Sequence, residues 1–139
     1  MVSRKQANRK IRKSSKQRVS VLGRKLWKLC REIIRKKYPN ECYTCGTKNL
    51  EGRNLHTGHM LPKASVGANL KYDLRLLRPQ CSNCNIWGGG RGAEFLRNMI
   101  IREGQDYVDQ IFRDKNLIVK AYDHYERLLV EYQIIAEEI

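Results

Sequence analysis

No apolar run in the sequence approaches the roughly 20 residues that a membrane-crossing helix needs. The opening Met1-Val2-Ser3-Arg4-Lys5 leads into a polar stretch with no apolar segment behind it, so a secretory signal is not expected. Both absences suggest an intracellular protein, where five cysteines favour metal ligands over disulfides. There is no internal repeat. Acid is nearly missing from the first 37 residues, where Glu32 stands alone against 15 Lys and Arg. The other 102 residues carry 13 bases and 13 acids, so the net charge of +14 sits entirely in the first quarter of the chain. A length of 139 residues, 41% apolar and 30% charged, fits one globular domain, with or without an arm, and not two independent cores.

A basic block ahead of a balanced body points to a polyanion partner. Phosphate contacts from such a block release counterions and give salt-sensitive binding without sequence preference. A solubilising tail, a targeting signal or a membrane-surface segment are the competing readings. The last is weakened because residues 1–18 offer only Met1, Val2, Ala7 and Ile11 as apolar anchors.

Residues 1–18 read as a flexible basic arm, poor in apolar side chains. In 19–37, Val21, Leu22, Leu26, Leu29, Ile33 and Ile34 recur at helical spacing, while Lys25, Lys28, Arg31 and Arg35 fall mostly elsewhere. This predicts a basic amphipathic helix, stopped by Tyr38-Pro39, whose charged face meets phosphates. Residues 38–103 should form the core. Its 40–91 stretch holds four Cys, two His and seven of the ten Gly, which suits short strands, near 53–60 and 73–79, and no long helix. A helix is expected from Gly92 to Glu103, broken by Gly104, followed by another over about 105–113. Asn116 is read as the cap of a last helix carrying Leu117, Ile118, Tyr125, Leu128 and Tyr132. The acidic 104–139 region suits packing or dimerisation.

Cys42-x-x-Cys45 and Cys81-x-x-Cys84 lie 35 residues apart. Two such knuckles supply the four thiolates of a closed tetrahedral site, so structural Zn²⁺ is expected. Redox use is disfavoured because no thioredoxin-like βαβ pattern surrounds either pair, and spacing alone leaves an iron–sulfur cluster open. Cys30 reads as a small core residue.

Between the knuckles stands His56-Thr57-Gly58-His59-Met60-Leu61-Pro62, and Asn85 follows Cys84 directly. Two of the three histidines therefore lie in the segment that zinc would pin. This layout resembles the zinc-stapled HNH (ββα-metal) nucleases, among them recombination endonuclease VII, and more closely the NinG/Rap recombination proteins of lambdoid phages. The likeness covers Cys42 to about Ile111, including Lys71-Tyr72-Asp73 and Gln80-Cys81-Ser82-Asn83-Cys84-Asn85.

The resemblance implies an α+β fold: a zinc-stapled ββα-metal core with a basic N-terminal helix and a helical C-terminal region. It places His59 as the general base and Asn85 as a ligand of a catalytic divalent cation. HNH enzymes usually carry Asp just before the base, and here that slot is Gly58. Side chains alternate along a strand, so His56 is expected on the face of residue 58 and is read as the substitute ligand. A nitrogen ligand widens the choice of cation from Mg²⁺ or Mn²⁺ to Ni²⁺ or Zn²⁺. Leu76 falls where the middle Asn of the motif would stand, leaving the bracing of the base to Asp73, Gln80 or backbone. Lys63, Arg75, Arg78 and Arg91 are candidate phosphate contacts, while Trp87 reads as a core residue more readily than as a stacking surface. The favoured expectation is a structure-selective DNA endonuclease acting on Holliday junctions or D-loops, in the bacterial host cytoplasm, as a homodimer through the C-terminal helices. The alternatives are a non-catalytic zinc finger for DNA or RNA and a structured-RNA or ribosome-associated protein.

Overall fold

The computed structural model describes residues 3–139, with the side chains of residues 10–14 left aside. Among the described residues, five α-helices surround one short antiparallel strand pair: α1 Arg4–Lys37, α2 Ala68–Lys71, α3 Gly92–Glu103, α4 Gln105–Asp114 and α5 Ala121–Glu138, with β1 His56–His59 and β2 Leu77–Gln80. The fold is thus helix-rich α+β. Among the described residues no helix is long and apolar enough to cross a membrane.

α1 is one continuous helix from Arg4, where the sequence suggested a flexible arm to residue 18 and a helix only from 19. The arm's first two residues lie outside the described part. Two causes account for the longer helix. Ser3 and Gln6 form a reciprocal capping box at its start. Lys, Arg, Gln and Ala are good helix formers, and adding turns to an existing helix costs no new nucleation. The absence of an apolar stripe shows only in exposure, since most of the described side chains of residues 4–18 face solvent. The helix ends where Tyr38, ahead of Pro39, turns to extended backbone.

The first strand falls within its predicted window and the second runs one residue past its own, and each is only four residues long. Their register pairs His56 with Gln80, Thr57 with Pro79, Gly58 with Arg78 and His59 with Leu77. α3 and α4 match their predicted spans within a residue, and Gly104 between them takes a φ of 101°, open to glycine without strain. α5 starts later than predicted. Leu117 and Ile118 lie ahead of it and are 59% and 98% exposed, and Lys120, not Asn116, precedes its first turn.

Three apolar clusters hold these elements. The largest joins α1 to α5 through Leu26, Cys30, Ile33, Ile34, Tyr125, Leu128 and Tyr132, with Tyr72 and Leu77 between them. The Tyr132 hydroxyl donates to the Tyr72 carbonyl at 2.7 Å, which satisfies a polar group deep in this layer. Cys30 is fully buried there, as its place on the apolar stripe predicted. A second cluster seats α3 and α4 on the hairpin through Tyr43, Met60, Leu76, Phe95, Met99 and Ile111. The third contains only Leu50 and Leu55 beside Cys42, Cys81 and Cys84. So few apolar side chains cannot hold the knuckle region alone, and the cysteines must contribute more than packing.

Candidate functional site

The four knuckle cysteines converge. Their Sγ atoms lie within 4.8 Å of one another, with Cys45 and Cys81 at 3.8 Å. A tetrahedral zinc with bonds of about 2.3 Å sets sulfur–sulfur spacings near 3.8 Å. Both knuckles aim an amide at the first sulfur: Cys45 N–H donates to Cys42 Sγ at 3.5 Å and Cys84 N–H to Cys81 Sγ at 3.4 Å. Thr44 and Thr47 hydroxyls lie 3.3 and 3.1 Å from Cys42 and Cys45 Sγ. Burial pushes the Cys81 thiol up to about 12 and raises Cys84. At Cys42 burial is outweighed by hydrogen bonds from Thr44 and backbone amides, which bring it down to about 6. Donor type, spacing and directed amides all fit a structural zinc.

Gly46, at φ 79°, closes the first knuckle, and the second runs into a wide helical turn, Asn83–Trp87. Asn85 N–H donates to the Cys81 carbonyl at 3.0 Å, so the residue after the last ligand is fixed by the metal-binding turn itself. Its Nδ2 donates to His56 Nδ1 at 3.1 Å, and His56 Nε2 donates to the Arg53 carbonyl at 2.8 Å.

His59 sits at the other end of β1, half-buried. Its ring stacks on Trp27 of α1 with centroids 5.1 Å apart and planes 14° from parallel. Nε2 donates to the Lys71 carbonyl at 3.3 Å, which leaves Nδ1 with a free lone pair. The brace foreseen for this histidine is therefore backbone. Asp73 instead binds Arg75, and Gln80 reaches Thr44 and Gly90. Burial first, then the Lys63 ammonium, lower His59 to about 4, so its imidazole is neutral at neutral pH.

His59 and Asn85 line one cleft of about 260 Å³ with Trp27, Thr57, Lys63, Gly89 and Gly90. His56 lines an adjoining cleft of about 330 Å³ with Arg31, Arg35 and Arg53, and Trp27, Thr57 and Asn85 border both. A third groove of about 580 Å³ continues along α1 past Lys16, Arg24, Arg31, Lys63 and Lys71. Among the described residues, no carboxylate lines any of the three.

Gly58 has a steric reason. A Cβ there would lie 1.8 Å from Gln80 Oε1. Gln80 is wholly buried, its Nε2 donates to Thr44 Oγ1 at 3.1 Å and to the Gly90 carbonyl at 2.9 Å, and its Oε1 has no partner. The space of the expected Asp side chain is thus filled from across the hairpin.

The basic candidates divide. Lys25, Lys28, Arg31, Arg35, Lys63 and Arg91 are exposed, and Arg31, Arg35 and Lys63 line the clefts. Arg75 and Arg78 do not line those clefts, and the burial of Arg78 sets it against its reading as a phosphate contact. Arg75 is held by Asp73 at 2.7 Å and Asp114 at 2.9 Å. Arg78 is 1% exposed, donates to the Leu77 carbonyl at 2.7 Å and Tyr107 Oη at 3.2 Å, pairs with Glu103 at 3.4 Å and lies over the Tyr38 ring. A buried guanidinium survives only with such partners, and here it ties α1, α3 and α4 together. Sequence reasoning missed Thr57, whose buried Oγ1 has no partner and whose residue borders both clefts. Strand alternation from His59 was the available signal. It also missed Lys16, Arg24, Arg53 and Lys71. The i, i+4 spacing of Lys16, Ser20 and Arg24 on α1 carried part of that signal.

A family model described as Bacteriophage Lambda NinG protein matches residues 2–138, and the chain belongs to that family. No curated protein and no solved structure matches it.

Proposed function

We propose that this NinG-family chain is a metal-dependent endonuclease of the HNH type, hydrolysing phosphodiesters in branched recombination DNA in the host cytoplasm. The observation that carries the reading is that His59, its ring held by the Lys71 carbonyl, and Asn85, held by the Cys81 carbonyl, line one cleft with Lys63 and no carboxylate among the described residues. The branch preference rests on the family resemblance.

His59 Nδ1 takes a proton from the attacking water, which its lowered pKa keeps possible over the whole neutral range. Trp27 and the Lys71 carbonyl hold the ring plane. His56 and Asn85 are the residues that would hold a divalent cation once the Asn85 amide is turned to present Oδ1. Their contact atoms are 3.1 Å apart, close to the roughly 3.0 Å between neighbouring ligands of an octahedral ion with bonds near 2.1 Å. Such a cation, when bound, supplies charge neutralisation at the phosphate and the leaving oxygen. No carboxylate lines these clefts among the described residues, so a cation held there would gain its neutralising charge from DNA phosphate and should bind more tightly when DNA is present. Arg31, Arg35, Arg53 and Lys63 seat the strand on either side. Two symmetric cuts in a four-way junction require two copies. α5 spends its main face on α1, and Val130 and Ile134, 59% and 50% exposed, are what it offers to a second one.

A non-catalytic nucleic-acid-binding finger is the competing reading, favoured by the same acid-free lining. The deciding experiment is cleavage of a labelled four-way junction and a matched linear duplex with Mg²⁺ or Mn²⁺, for wild type and His59→Ala. Cuts near the branch that vanish in His59→Ala support the enzyme. Tight binding without cuts, the same in both proteins, refutes it.

A further inference from the structure

Trp87 is 84% exposed and its neighbour Ile86 59% exposed, although a Trp following a metal knuckle was expected in the core. Nothing about the backbone here suggests a side chain waiting to fold inward. The turn that carries both residues, Asn83–Trp87, includes knuckle residue Cys84, and it closes with Gly88 N–H on the Asn83 carbonyl at 2.8 Å and Gly90 N–H on the Cys84 carbonyl at 2.9 Å. A large aromatic side chain is therefore presented to solvent on a support tied to the metal site.

Its position relative to the cleft is set by the same turn. Asn85 on one side of Trp87 and Gly89 and Gly90 on the other line the His59 cleft, while Trp87 stands clear of it. Exposed Arg91 follows at once, in a left-handed backbone conformation with φ 51°. The clefts behind carry cations and no carboxylate, so the macromolecule that passes the rim is a polyanion. An exposed indole beside a polyanion track is the arrangement by which single-stranded nucleic acid is gripped: phosphates follow the cations and a base stacks on the ring.

We propose that Trp87 is a base-stacking platform that accepts an unpaired nucleobase of the strand held in the cleft. The inference rests on the reading of the cleft as a DNA site and supplies what that reading takes only from resemblance, a physical reason for preferring branched DNA. In a continuous duplex both faces of every base are occupied by its neighbours. At a branch point or flap a base is free to leave the stack, and only there does Trp87 find a ligand.

The test is equilibrium binding of the zinc-loaded full chain, without added divalent cation, to a fluorescent duplex and to the same duplex interrupted by three unpaired thymines. Wild type should favour the interrupted DNA by about tenfold, in the range expected for stacking one base. Trp87→Ala should lose that preference while binding the continuous duplex within a factor of two, and Trp87→Phe should keep part of it. Equal preference in wild type and Trp87→Ala overturns the proposal. So does self-association of wild type that Trp87→Ala abolishes, which would make the surface a contact between copies. Because no cleavage is measured, a chain that binds as proposed but never cuts would refute the nuclease reading alone.

Discussion

Gly58→Ala probes the contact that most separates this site from the usual acid-bearing pattern. The added methyl carbon would lie 1.8 Å from Gln80 Oε1, 2.5 Å from Cδ and 2.9 Å from Cγ, none of which real structures tolerate. Gln80 must move, yet it is wholly buried and has no solvent to swing into. Moving it breaks two hydrogen bonds, to Thr44 Oγ1 and the Gly90 carbonyl, each worth about 1 kcal/mol net. Overpacking adds about 1–3 kcal/mol. Replacing Gly by Ala in a strand returns roughly 0.5–1 kcal/mol. The expected loss is about 3 kcal/mol. Gln80→Ala alone should cost about 2 kcal/mol, from the same hydrogen bonds and a small void. In the double variant the methyl group added at position 58 enters the space the amide vacated. The two losses should then fall short of adding by about 2 kcal/mol, within the range known for touching residues. Denaturant unfolding of the four proteins of this cycle, zinc-saturated, measures it. Additivity within about 0.5 kcal/mol, or a Gly58→Ala protein as stable as wild type, would sink the argument that Gln80 fills the place of a side chain at position 58.

Other predictions are open to direct measurement. Metal analysis should find one zinc per chain, released as a mercurial titrates the four knuckle thiols, with loss of the thermal unfolding transition. Retention of a sharp transition in the metal-free protein would show that the small cluster around Leu50 and Leu55 suffices. His59, lowered to about 4 by burial and then by Lys63, is neutral when folded while its unfolded form titrates near 6.5. The unfolded state thus binds more protons between these values, so its stabilisation, about 3 kcal/mol, is complete above pH 6.5 and lost as pH falls through 4. An NMR titration of the ring should give the low value in wild type and a higher one, still below 6.5, in Lys63→Met, because burial is the larger cause. Thr57→Val removes a buried hydroxyl that has no partner, so it should stabilise the protein by about 1 kcal/mol and raise Tm by roughly 3–5 °C. An unchanged or lower Tm would mean that the hydroxyl is already paired.

Patterns that depend on local backbone chemistry were legible in the sequence. The paired knuckles led directly to the sulfur cluster, Gly104 marked the break between α3 and α4, and the short strands lay where the turn-rich segment allowed them. What depends on neighbours distant in sequence was not. Arg78 looks like any surface arginine until Tyr38, Glu103 and Tyr107 close around it. Gly58 looked like a lost ligand, and only the side chain of Gln80, which pairs with His56 across the hairpin, shows its place filled. The stretch ahead of residue 19 lacked an apolar stripe, so its helix, which needs none because it continues an existing one, went unseen. Trp87 was misplaced for a related reason: hydrophobicity suggests burial, but the tight glycine turn after it gives the side chain no core to enter.

The pairing of α1 with α5 also imposes an order on synthesis. Trp27, the surface on which His59 is stacked, belongs to α1, and α1 is packed chiefly by α5, a helix translated after the knuckles, the hairpin and α4. A nascent chain that has already closed its zinc knuckles still lacks the partner that seats α1, so the cleft is finished last. A ribosome stalled before α5 would carry a folded metal knuckle with no formed cleft. A protease cutting the link between α4 and α5, where Leu117 and Ile118 lie exposed, would leave that clasp held by packing alone.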